Sequence, residues 1–117
     1  MNLTLKEICE KQEDFDKKTA IKGRGFYKKI NGSNLHELEH LIVCLLGELG
    51  EFSNITKKIV RGDKVLNEVK AELDEELVDT FIYLIKIANQ FDVDLESGFM
   101  AKLEKNKKRS EERRVGK

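Results

Sequence analysis

Two pairs of carboxylates stand at helical spacing in the middle of this 117-residue chain. Glu48 and Glu51 lie in LLGELGEF, and Glu76 and Asp79 lie in DEELVDTFIYL. A step of three residues turns a helix by about 300°, so the members of each pair project from one face. Like charges at that spacing repel, and the neighbouring Leu45, Leu46, Leu49, Leu77 and Phe81 would exclude water. Something positive must compensate them. A donor set made only of oxygen suits a hard divalent cation, Mg²⁺ with Mn²⁺ as a substitute, better than zinc, and Mg²⁺ commonly shares its shell with substrate phosphates. The chemistry indicated is phosphate chemistry. A single acidic pair would more often be a solvated helix face balanced by nearby lysines, but two pairs at matched depth weaken that reading.

The elements that must position these acids are helices. Thr4 with Glu7 forms a capping-box pattern, and Leu5, Ile8, Cys9 and Phe15 follow near helical spacing, which predicts a first helix over about 4–20. The glycine-rich stretch IKGRGFYKKINGSN has no period and reads as a surface loop. Its adjacent aromatics, Phe26 and Tyr27, would either anchor the loop to the core or offer a stacking surface to a planar ligand. Asn34 with Glu37 repeats the capping-box pattern before a long apolar stripe from Leu38 to Ile59, and Gly62 is placed to close that helix. A third helix starts between Val65 and Glu68 and runs to about Gln90, with Val69, Leu73, Leu77, Phe81, Leu84, Ile85 and Ala88 as its stripe. Asp94 is a candidate N-cap for a last helix over about 95–109. Two long helices joined by a short turn lie antiparallel, which brings Glu48 and Glu51 opposite Glu76 and Asp79.

Composition agrees with an all-α class: 38% of the residues are charged and proline is absent. The length allows one domain, taken as 1–110, followed by a basic tail at 111–117 that is expected to fray. Zero net charge gives the molecule no general attraction for nucleic acid or anionic membrane, and no stable nucleic-acid partner is expected. No apolar run approaches the ~20 residues that span a bilayer, and the charged N-terminal stretch is unlike a signal peptide, so a cytoplasmic location is expected. Cys9 and Cys44 lack the paired spacing of a zinc or redox motif and read as buried free thiols. The stripes of the two long helices exceed what four helices with a narrow first stripe can bury. A two-fold dimer is the simplest remedy.

Taken together, Glu48-x-x-Glu51, a gap of about two dozen residues and Glu76-x-x-Asp79 resemble the ExxE and ExxD signature of the MazG-type all-α nucleoside triphosphate pyrophosphohydrolases. The resemblance covers about residues 34–109. Tyr83, Lys102 and Asn106 fall where the dCTP-cleaving branch carries substrate-contacting residues, His36 matches a nucleotide-contacting histidine, and Arg109 is a further candidate one turn beyond Asn106. The pattern departs in two places. Gly47 stands where an extra glutamate is common, and the tryptophan that stacks on the base in the dCTP-cleaving branch has no counterpart near Gly32, a task left to Phe26 or Tyr27.

The resemblance implies a four-helix MazG-like bundle completed by dimerisation, or a tetramer made of two dimers. It also implies metal-dependent hydrolysis of (deoxy)nucleoside triphosphates to monophosphate and pyrophosphate, in housecleaning or control of the nucleotide pool. Metal at Glu48, Glu51, Glu76 and Asp79 would activate a water, with either Glu48 or Glu51 as its partner.

Two other readings compete. His36-Glu37-Leu38-Glu39-His40 is a literal H-E-x-x-H match, the zinc metalloprotease pattern, although it opens directly after a helix cap and leaves little chain for a substrate cleft. A helical dimerisation or adaptor module without catalysis would keep the fold and not need the acids.

Overall fold

The structure is a computed structural model that describes residues 2–21 and 24–115. It contains α1 (Leu5–Lys18), a two-residue ribbon of β1 (Ala20–Ile21) and β2 (Arg24–Gly25), then α2 (Leu35–Arg61), α3 (Leu66–Gln90) and α4 (Leu95–Val115). The ribbon is antiparallel, with Ala20 opposite Gly25 and Ile21 opposite Arg24, and occupies the segment expected to be loop. Helices carry the architecture, as the composition requires.

Helix ends follow local chemistry. The Thr4 hydroxyl accepts from the Glu7 N–H at 3.1 Å, and the Glu7 carboxylate accepts from the Thr4 N–H at 2.9 Å, so the first capping box forms in full. The second does not. Asn34 turns back into the preceding loop, accepting from the Asn31 N–H at 2.7 Å and donating to the Lys29 carbonyl at 2.9 Å, while Glu37 pairs with Lys28 at 3.1 Å. Loop partners outbid the helix for both side chains. Gly62 closes α2 at φ 89°, a left-handed conformation open to glycine, and the Asp63 N–H reaches back to the Lys58 carbonyl at 2.9 Å. Asp92 closes the turn after α3 at φ 57°, and Asp94 then caps α4 by accepting from the Ser97 N–H at 3.1 Å.

The centre of the molecule is the antiparallel hairpin of α2 and α3, joined by a short turn at Gly62. The N-terminal helix α1 packs on α3, and α4 rests against α1, where the Lys6 N–H donates to Glu96 at 3.2 Å. Beyond that contact α4 continues past the expected stop near Arg109 to Val115, because residues 99–115 contain no glycine or proline and are rich in helix-forming Lys, Arg and Glu. The helix thus takes in 111–115 of the basic tail, and residues 116 and 117 lie outside the described residues.

Among the described residues, the buried apolar side chains are Ile30, Leu41, Val69, Leu73, Ile85 and Ala88, together with the polar Asp16 and Gln90. Val43, Leu46, Leu49, Leu77, Val78, Phe81 and Leu84 remain exposed on the hairpin. The radius of gyration is 18.2 Å, against about 13 Å for a compact domain of this length. Cys9 and Cys44 are unpaired, as expected, but only partly buried.

One loop is held firmly to α3. Gln90, almost fully buried, accepts from the Lys28 N–H at 3.2 Å and donates to the Phe26 carbonyl at 3.2 Å, while its own carbonyl accepts from the Ile30 N–H at 2.8 Å. These bonds set the position of Phe26.

Candidate active site

Antiparallel packing of α2 against α3 places Glu48 opposite Glu76 and Asp79, and one carboxylate oxygen from each lies within 4.8 Å of the others. All three residues are partly buried. Oε2 of Glu76 is buried with no hydrogen-bond partner. Burial raises the pKa of Glu76, and the adjacent carboxylates of Glu48, Glu51 and Asp79 raise it further. Glu51 stands one turn along α2, exposed, close enough to act on Glu76 by charge but outside the three-residue cluster. Three of the four expected acids thus converge. An all-oxygen cluster with one orphaned buried oxygen fits a hard divalent cation.

A cavity of about 490 Å³ opens beside Glu48 and Asp79 and is also walled by Gln12, Phe15, Tyr83 and Lys86. A second, of about 300 Å³, is lined by Phe26, His40, Cys44 and Gln90 and shares Tyr83 and Lys86 with the first. Tyr83, one turn after Asp79, therefore stands between the two. Its pKa is raised by burial, then by Cys44 and the charges of Glu48 and Asp79, so the phenol stays protonated and able to donate.

The remaining candidates divide. Phe26 lines the smaller cavity, whereas the Tyr27 ring lies under Lys17, 4.8 Å from its amine, and lines neither. His36 is exposed, with Nε2 3.5 Å from the Glu37 carboxylate, and lines neither cavity, while His40, one turn on, faces the smaller one with Nε2 3.8 Å from the Cys44 sulfur. Neither histidine joins an acid in a metal-ready cluster among the described residues, which leaves the zinc-protease pattern without a site. Lys102, Asn106 and Arg109 are exposed on α4 and line neither cavity.

Sequence reasoning missed Lys86 and Asp16. Lys86 is the one charge in the apolar run 81–88, seven residues after Asp79 and three after Tyr83, and that periodicity was its signal. Asp16 had a weaker one. The buried face of α1 continues from Cys9 through Gln12 to Asp16 at steps of three and four, while Phe15, expected in the stripe, is 57% exposed.

Residues 36–114, the hairpin with its acids and most of α4, match the MazG nucleotide pyrophosphohydrolase domain. The chain belongs to the MazG family. Among curated relatives, this MazG chain is 35% identical over 81 residues to the Gene 37 protein of Mycobacterium phage L5, covering 67% of the chain and 70% of that protein. It is 31% identical over 78 residues to the human dCTP pyrophosphatase 1, covering 63% of the chain but only 46% of the human protein. No solved structure matches it significantly. The MazG match takes in all four acids and leaves out α1, so Gln12, Phe15 and Asp16 come from outside the matched region.

Proposed function

We propose that this MazG chain hydrolyses (deoxy)nucleoside triphosphates to nucleoside monophosphate and pyrophosphate. The observation that carries the reading is the convergence of Glu48, Glu76 and Asp79 around a buried, unpartnered Glu76 oxygen at the edge of a cavity. Glu48, Glu76 and Asp79 would hold a divalent cation, Mg²⁺ or Mn²⁺, with the exposed Glu51 free to turn toward it. When bound, the ion neutralises phosphate oxygens and lowers the pKa of a coordinated water.

The chain's own residues would do the rest. The larger cavity takes the phosphates at the carboxylates, and the smaller takes the base against Phe26, with His40 and Gln90 at its edge. Tyr83 donates a hydrogen bond from its phenol to the substrate where the cavities meet. A water oxygen bonds to the α-phosphorus, the bond from that phosphorus to the α–β bridging oxygen breaks with its electron pair leaving on pyrophosphate, and Glu48 or Glu51 accepts the water's proton. The similarity to the human dCTP pyrophosphatase 1 makes dCTP the first substrate to try.

An assembly of two copies, or of two such pairs, belongs to the same reading. It would cover the exposed apolar side chains of the hairpin and bring Lys102, Asn106 and Arg109 of one copy toward the acids of another. Incubation with natural and oxidised nucleoside triphosphates plus Mg²⁺, followed by separation of monophosphate, pyrophosphate and orthophosphate, tests reaction and substrate together. Absence of cleavage across the panel, or release of orthophosphate alone, would contradict it.

A further inference from the structure

Lysine ammonium groups normally remain in water, yet the Lys86 side chain is 14% exposed and that of Asp16, 3.2 Å from its amine, is 1% exposed. The amine also lies over two aromatic rings, 5.0 Å from the centroid of Phe26 and 5.5 Å from that of Tyr83. Oδ1 of Asp16 accepts from Gln12 as well, at 3.0 Å, while Oδ2 is buried without a partner. A buried ion pair rarely stabilises more than well-packed apolar side chains would, and an unsatisfied carboxylate oxygen makes the balance worse. Stability does not account for the pair.

Its position does. Lys86 shares a helical face with Asp79 and Tyr83 and borders both cavities. Among the described residues it is the single cation lining the larger one, which Glu48 and Asp79 also line. With phosphates at the carboxylates and base against Phe26, the wall shared by the two cavities faces the α-phosphate.

We propose that Lys86 is a substrate-contacting residue that donates to a non-bridging oxygen of the α-phosphate, and that Asp16 is its positioning residue. The inference rests on the triphosphate reading above. An ammonium has three donors, so the Asp16 contact leaves others for phosphate. Asp16 also keeps the amine from swinging into the acid cluster, where it would neutralise the carboxylates meant for a cation. A charged donor at the reacting phosphorus acts on negative charge that builds in the transition state.

The test is steady-state hydrolysis of dCTP, dATP, dGTP and dTTP with Mg²⁺ by the parent, Lys86→Arg, Asp16→Asn, the paired Lys86→Met/Asp16→Leu, and Glu76→Gln. The paired variant removes both charges and should melt at or above the parent temperature. Its kcat should fall by at least ~10²-fold. Inhibition by the monophosphate product should weaken about tenfold or more, in line with a lost charged contact, and inhibition by pyrophosphate should be unchanged. Lys86→Arg should restore part of kcat, and Asp16→Asn, which keeps the Lys86 amine but removes the charge that positions it, should lower kcat. A paired variant that folds and turns over like the parent, while Glu76→Gln is inactive, would make the pair structural only. Weakened pyrophosphate inhibition with intact monophosphate inhibition would move the contact off the α-phosphate and overturn the proposal. Full activity of Glu76→Gln, or no cleavage by the parent, would instead remove the triphosphate reading and this inference with it.

Discussion

The carboxylates of Glu48 and Glu76 approach within 4.8 Å of one another across the α2–α3 hairpin, although like charges there repel and Glu76 is partly desolvated. Such an arrangement costs the folded chain free energy unless a proton or a cation relieves it. Two measurable consequences follow from the choice between those reliefs.

The first concerns pH. Glu76 has its folded-state pKa raised above the ordinary 4.5, so the native chain binds that proton more tightly than the unfolded chain does. Its contribution therefore becomes more favourable as pH falls through the raised value toward 4.5, and is least favourable above it. In chelator-treated protein, Glu76→Gln should be at least as stable as the parent at pH 8, and the parent should gain on the variant as pH falls toward 5. Urea denaturation of both proteins at the two pH values checks this. A variant less stable at pH 8 would mean that the Glu76 carboxylate is already satisfied.

The second concerns cations. Adding Mg²⁺ or Mn²⁺ should stabilise the parent through linkage to the native state, by about 2.7 kcal/mol at a concentration of 100 Kd, and so raise its melting temperature. Glu48→Gln and Glu76→Gln should lose most of that gain, as thermal melts with and without cation would record. Equal gains in all three would place the ion elsewhere.

Association is tested by Phe81→Glu. Phe81 is 41% exposed on the hairpin beside the exposed Leu77, Val78 and Leu84, so a carboxylate there should disperse the proposed assembly to a monomer of lower stability. Light scattering would show the change. A parent that is already a fully active monomer would remove the need for any partner.

How much of this was legible beforehand depended on the range of the signal. The hairpin was readable because apolar side chains recur along α2 and α3, and Gly62 marks a left-handed turn that few residues adopt. Asn34 and Glu37 misled because a capping pattern is local, whereas their actual partners, Lys29, Asn31 and Lys28, belong to a loop whose path depends on Gln90, more than fifty residues away. His36 and His40 differ by one turn, and only the packed structure shows which of them borders a cavity. Lys86 and Asp16 are paired across 70 residues of chain, a contact that no local period contains.

The most direct test of the central claim is product analysis of a nucleoside triphosphate panel with Mg²⁺, run in parallel on the parent and on folded Glu76→Gln. The account predicts equimolar monophosphate and pyrophosphate from the parent, and a rate at least ~10²-fold lower from the variant. Cleavage by the variant at the parental rate, or diphosphate and orthophosphate as the products, would contradict it.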